Sequence, residues 1–384
     1  MSWWTLLKKE LIAILTNPAI MVTVFGGTIF YSFLYPMPYA HQVAQEQKIS
    51  VVNLDKSQTS YQLERMVDAT PQVKIATRAH SVEQAKAQFL AKEASGILVI
   101  PEHFHKDLLL GKSPTLSYAG DASYFLVYGT VVEGLAQASG TLGAKAKVAK
   151  LVMDGEPMAL ASENYAPIHL NLKPTFNPKM GYVDYVVPAV FVLILHQTLI
   201  IGIGIITCEQ RRKTGYWSQV SKAQLLSARV AAFSGLYLLI TLFYFGYSFD
   251  LYQINRLAAP IDLAIMLVPF LFATSFVGIT IGRLVQRSEQ VTLIVLLGSM
   301  PLIFSAGFIW PVASIPSPIV WLSNLAPSTP AIMGFLKVNQ MGASIAQVKE
   351  LLTQLWLLTA GWGLLAWLTL HRQQRKSGNS MPNA

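Results

Sequence analysis

VDYVVPAVFVLILHQTLIIGIGIIT, residues Val183 to Thr207, runs for 25 residues with Asp184 as its one acidic side chain and with no lysine or arginine. As a helix rising 1.5 Å per residue it is long enough to cross the roughly 30 Å hydrocarbon core of a bilayer. A helix apolar on every side belongs either in a large protein core or in lipid. Composition decides for lipid: 53% of the chain is hydrophobic and 13% is charged, whereas soluble chains carry about a quarter charged residues. Working outward, five further runs qualify: Ala19 to Tyr35, Val230 to Phe249, Ile261 to Gly282, Val291 to Trp310 and Leu351 to Leu370. Six crossings put both termini on one side.

Lysine and arginine at the crossing ends choose that side. Lys8 and Lys9 precede the first crossing, and Arg211, Arg212, Lys213, Lys222 and Arg229 lie between the second and third. Arg283 and Arg287 join the fourth to the fifth, and Arg372, Arg375 and Lys376 follow the sixth, while the opposite short loops hold only Arg256, Lys337 and Lys349. Both termini are expected in the cytoplasm, with the chain in a bacterial inner membrane. The formal charge of +9 then follows from topology. No basic patch with interleaved aromatics occurs on a soluble segment, which argues against nucleic acid as a partner. The first crossing has only the poor small-residue site Pro38-Tyr39-Ala40 after it and reads as an uncleaved anchor. The lone Cys208 leaves the segment from His41 to Met180 without an internal disulfide.

That segment changes character. Ile49 to Asn53, Val73 to Thr77, Ile97 to Ile100 and Thr115 to Tyr118 read as strands. Helices are expected at Gln58 to Val67, Ser81 to Ala91 and Glu102 to Leu110, and a long helix over Asp121 to Met153. The expected fold is a membrane protein of six transmembrane α-helices, one plus five, with an α/β extracytoplasmic domain inserted after the first helix. Its divisions are an interfacial amphipathic helix over 1–17, a first transmembrane helix over 18–40 and the extracytoplasmic α/β domain over 41–180. Five transmembrane helices follow over 181–371, with a coupling loop at 208–229 and an outer re-entrant segment at 305–335, then a disordered cytoplasmic tail at 372–384.

No GxxxxGK[ST] phosphate loop occurs. The nearest approach, Gly111-Lys112-Ser113, lacks the earlier glycine, so any ATPase is a separate chain. No HExxH, CxxC or GxSxG is present, and His103 with His105 beside Glu102 is a thin basis for a metal site. This chain therefore carries no expected catalytic residue, metal or cofactor.

Two regions invite a functional reading. Asp184, His196 and Gln197 are polar groups in an apolar span, where such groups are costly and usually face a bundle interior or a wet cavity. In an unbroken helix His196 would lie roughly 18 Å below Asp184, near mid-span. Either they line a translocation path, or His196 makes a helix-packing hydrogen bond and Asp184 is a hydrated interface residue. Ser305, Gly307 and Pro311 begin a stretch of helix breakers continuing through Pro316, Pro318, Pro327 and Pro330, which reads as a re-entrant pair of helices on the outer side and a further pathway lining, or else as a Pro-rich external loop. Gly202 and Gly204 allow close packing of the second crossing. The loop beyond it holds Glu209, Arg211, Arg212, Gly215, Tyr216 and Trp217, more aromatic than a topology signal requires, and is a docking candidate.

With these residues in view, the chain resembles the permease subunits of type-two ABC exporters that carry a large extracytoplasmic domain between the first two crossings. The resemblance covers nearly the whole chain. It rests on the one-plus-five layout, on Val51-Val52-Asn53-Leu54-Asp55, on Ile100-Pro101 with Phe104, and on the run from Pro301 through Ser305, Gly307, Pro311 and Pro316 to Pro327. It implies that the amino-terminal helix and the Glu209 to Ser227 loop contact an ATPase, the loop as a coupling helix. The loop departs from the family's acidic residue followed by Gly-Thr, since Gly215 precedes Tyr216 and Trp217 here.

The resemblance implies a cytoplasmic ATP-binding partner holding ATP and Mg, and a second permease chain in a homodimer or heterodimer. A periplasmic adaptor or outer-membrane channel is a candidate partner of the exported domain. The expected function is ATP-driven export of an amphiphilic or drug-like substrate. The alternatives are a membrane-anchored receptor or assembly protein working through its exported domain, and a proton-coupled secondary transporter using Asp184 or His196.

Overall fold

The computed structural model describes residues 1–39, 44–166, 173–178, 181–211 and 214–378, with side chains up to residue 370. Arg212 and the 379–384 end of the tail lie outside the described residues. The chain forms two compact units, one of Met1–Ala40 with Pro174–Ala384 and the other of His41–Lys173.

Helix α1 (Trp3–Leu15) turns Leu6, Glu10 and Ile14 inward at four-residue spacing. Asn17 ends it and starts the first span, its side-chain oxygen accepting from the amides of Ala19 and Ile20. That span, α2 (Pro18–Tyr39), contains a π-helical stretch at Met21–Gly27.

In the inserted unit, β1 (Gln47–Asn53) leads to α3 (Gln58–Asp68), β2 (Val73–Ala79), α4 (Val82–Leu90) and β3 (Gly96–Ile100). Next come α5 (Phe104–Leu109), β4 (Ser117–Gly120), α6 (Phe125–Met153) and α7 (Met158–Asn164). The sheet order is β2-β1-β3-β4, with β1 parallel to both β2 and β3 and β4 antiparallel to β3. Alternation along β1 sorts its side chains: Ile49 and Val51 join Leu63, Val67, Leu135 and Leu142 on one face, while Val52 packs with Ala85 on the other. Asn53 fixes the first crossover by donating to Glu64 at 2.8 Å and accepting from the amide of Lys56 at 2.9 Å. Ser81 caps α4 by accepting from Gln84 N.

Several boundaries differ from expectation. β4 lies two residues later than its apolar run because pairing with Gly96 to Val99 sets its register. α6 starts at Phe125 rather than Asp121, since Asp121 accepts from the amide of Ser123 and holds a turn there. His105 is engaged by Thr59 at 2.7 Å, and no group of His, Cys, Asp or Glu that could hold a metal occurs among the described residues.

The second part of the membrane unit comprises α8 (Val186–Arg211), α9 (Lys222–Leu251), α10 (Pro260–Leu284), α11 (Ser288–Ser305), α12 (Ser317–Ser323), α13 (Ser328–Gln340) and α14 (Ile345–Leu370). Among the described residues, six helices are long and apolar enough to span a membrane, and α12 with α13 forms a pair bent by 89°. The 26-residue α8 is the hub, buried along almost its whole length, whereas α11 is largely exposed. Glycines make that possible. A Cβ on Gly282 would overlap the carbonyl oxygen of Gly204, and one on Gly278 would lie 3.0 Å from the Ile200 oxygen, so the α8 and α10 backbones touch as small-residue interfaces allow.

α8 begins at Val186, because Tyr182 O accepts from the amides of Tyr185 and Val186 in a preceding turn; Asp184 sits in that turn, buried. α11 ends at Ser305, short of Trp310, where Gly307 takes a φ of +89° that continues no helix. The last helix continues in backbone to Gly378, beyond its expected end at 371, through the helix-favouring Arg, Gln and Lys of that stretch.

Candidate functional site

The loop after α8 folds back onto α1 around a buried ion pair. Arg229 Nε donates to Glu10 Oε2 at 2.8 Å and its Nη2 to Glu10 Oε1 at 3.1 Å, a two-pronged grip between positions far apart in the chain. Arg229 also donates to Thr207 at 3.1 Å and to Gln210. The phenol of Tyr216 donates to Glu10 Oε1 at 2.9 Å and accepts from Gln210 Nε2 at 3.2 Å. Burial, reinforced by the Glu10 carboxylate, raises the Tyr216 phenol well above its ordinary value of 10.0. Helices α1, α8 and α9 and the loop are thereby joined in one charge network. A buried pair of this kind is a weak source of net stability, but it is a demanding one geometrically, since losing one partner strands the other's charge.

Around that core, Asn17 donates to Glu209 at 3.0 Å and Trp3 donates to Ser227 at 3.0 Å. Arg211 donates to the carbonyls of Arg283 and Val285 at 2.7 and 3.0 Å, tying the end of α8 to the end of α10. Trp217 meets Tyr216 edge-on with centroids 5.0 Å apart, and a Cβ on Gly215 would lie 2.5 Å from the Trp217 ring, which explains the glycine. Glu209, Arg211, Gly215, Tyr216 and Trp217 thus fall in one folded segment.

Higher on α8, a cavity of about 520 Å³ opens among α8, α10, α11, α12 and α14. Its walls are aliphatic, from Ile200, Val277 and the more exposed Ile294 and Leu322, with Trp362 beside them, whose indole donates to Leu325 O at 3.0 Å. The hydroxyls of Ser299, Ser305 and Ser323 are each spent on a carbonyl of their own helix. His196 is different: it is buried, stacked on Phe270 at 6.4 Å, and neither ring nitrogen has a hydrogen-bond partner among the described residues. Of the sequence candidates, His196 and Ser305 line this cavity, while Asp184, Gln197, Gly307 and Pro311 do not.

A family model described as ABC-2 family transporter protein matches residues 18–368. The chain belongs to the ABC-2 transporter family. No curated protein matches it. As an ABC-2 permease it is the membrane-spanning subunit of an ABC transporter, and membership implies an ATP-binding partner subunit.

Sequence reasoning on this permease named the loop but missed Glu10, Thr207, Gln210 and Arg229 as a unit. One signal was available. Glu10 occupies the same face of α1 as Leu6 and Ile14, and an acid in the centre of an apolar stripe needs a buried partner.

Proposed function

We propose that this permease exports amphiphilic, drug-like or lipid-like compounds out of the cytoplasm or the inner membrane, working as two permease chains with two ATP-binding subunits. The observation that carries this reading is the aliphatic cavity that His196 borders. Such a cavity suits an apolar body. A strongly hydrated solute would lose its water to walls that return almost nothing.

In this reading the termini and the 208–229 loop face the cytoplasm and residues 41–180 face the outside. ATP-driven closure of the partner presses on the loop, and the Glu10–Arg229 network transmits that push to α1, α8 and α9 together. Because α8 carries both the network residues Thr207 and Gln210 and the cavity residue His196, displacement at one end alters the cavity at the other, a two-state element biased by nucleotide. A second copy of the permease covers the exposed apolar side of α11.

The test uses inside-out vesicles containing the permease and its ATP-binding partner, supplied with a fluorescent alkyl amphiphile. ATP-dependent accumulation is expected, together with its loss in Gly298→Trp, where the added ring enters open cavity space. Accumulation driven by a proton gradient without ATP, or left intact by Gly298→Trp, would contradict the reading.

A further inference from the structure

A second cavity, of about 460 Å³, lies wholly within the inserted unit, between α6 and the α5–β4 connection. Its floor is apolar, built from Leu63, Phe104 and Leu142, which are buried, with Leu108 and Leu116 beside them. Its rim carries Lys112, Lys147 and Lys150, and among the described residues no acidic side chain lines it. Lys112 is paired with Asp107 at 3.4 Å. Lys147 and Lys150 have no ion pair among the described residues.

The geometry keeps this trough open and its cations at one end. Ser139, Gly143 and Lys147 follow one another at four-residue spacing, so the helix face over the trough is nearly bare until the lysines. A Cβ on Gly143 would meet nothing within 4 Å. Gly111, at a φ of +73°, lets the Lys150 side chain lie across the connection, where a Cβ would overlap Nζ. Lys147 and Lys150, three apart on a helix, repel each other, a cost that an anion between them removes.

We propose that this groove binds a single-chain anionic amphiphile, with the acyl or alkyl chain on the leucine and phenylalanine floor and the carboxylate or phosphate between Lys147 and Lys150. Cavities of this size suit small ligands, and an ammonium is a compact partner for either head group. The site is distinct from the membrane cavity, and its occupation requires neither ATP nor transport, so its failure and that of the export reading are separable.

The experiment is photolabelling of the full-length permease in neutral-lipid nanodiscs with an alkyl phosphate carrying a diazirine on its chain, followed by peptide mapping. Label is expected on the peptides containing Gly111 to Leu116 and Ser139 to Lys150. Dodecyl phosphate and laurate should compete, and dodecyltrimethylammonium and inorganic phosphate should not. Raising ionic strength weakens the labelling, because the lysines are exposed to screening. Lys147→Gln with Lys150→Gln lowers labelling at least about tenfold, near what two cations beside an anionic head contribute. Gly143→Trp, which fills the trough without removing a charge, also abolishes it, and an unchanged limited-proteolysis pattern shows that the unit is folded. Label elsewhere, equal competition by the cationic amphiphile, or full labelling of Gly143→Trp overturns the proposal.

Discussion

Two buried polar sites lie along one helix and are built in opposite ways. At the end of α8, Thr207 and Gln210 join Glu10, Arg229 and Tyr216 in a network whose charged groups all find partners. In the middle of α8, His196 holds two buried ring nitrogens with no partner among the described residues, and its ring borders an aliphatic cavity. Burying a polar group without a hydrogen bond costs about 1–3 kcal/mol, whereas a satisfied network resists distortion. The difference separates a site shaped to hold its geometry from one whose polar group is left unsatisfied.

Removing one partner from the satisfied site has the largest expected effect. Arg229→Met strands the Glu10 carboxylate and is expected to destabilise the protein by about 3–5 kcal/mol, read as a fall in thermal unfolding temperature in nanodiscs. Glu10→Met combined with Arg229→Met is expected to recover most of that loss, because two apolar side chains leave no buried charge. ATP hydrolysis stimulated by substrate should stay low in the double variant, since the link from loop to α1 is gone. A double variant as unstable as the single one would show that the pair acts through something other than its charge.

The connection between the two sites is tested next. Gly282→Val places a branched side chain against the Gly204 backbone and is expected to cost about 1–3 kcal/mol while forcing α10 away from α8. Gly298→Val on α11, with open space around it, serves as the control and should leave unfolding unchanged.

His196→Leu sharpens the comparison because its sign is reversed. Taking away a buried group with no partner is expected to raise stability by about 1–2 kcal/mol while weakening amphiphile binding. A marked fall in unfolding temperature would mean that the imidazole is already engaged.

Much of this architecture was legible before any coordinates. The spans could be read because length and apolarity are local properties, and Val183 to Thr207 declares itself without reference to the rest of the chain. The strands Gln47–Asn53 and Gly96–Ile100 were likewise visible as β-branched runs, whereas Ser117–Gly120 was misplaced because its register belongs to its partner. His196 stood out because an ionisable group at membrane depth is conspicuous. The Glu10–Arg229 pair did not, since its two members are 219 positions apart and only the folded chain brings them together.

Tyr216→Phe is the smallest expected change, removing one hydrogen bond to Glu10 for about 1 kcal/mol. Its pH dependence is specific. The folded protein raises the phenol above 10.0, so it favours the protonated form; that contribution is complete below pH 10 and declines as pH rises beyond it. The stability gap between wild type and Tyr216→Phe should therefore be constant through neutral pH and narrow only in strong alkali. A gap that opens between pH 6 and 8 would assign it to another group.

The most direct test compares ATP hydrolysis with and without a saturating alkyl amphiphile, using the purified permease with its ATP-binding partner and the Gly298→Trp variant prepared in the same way. Stimulation in the wild type and none in the variant is the predicted result, because the cavity beside His196 would be filled. Equal stimulation in both would place the substrate elsewhere and contradict the account.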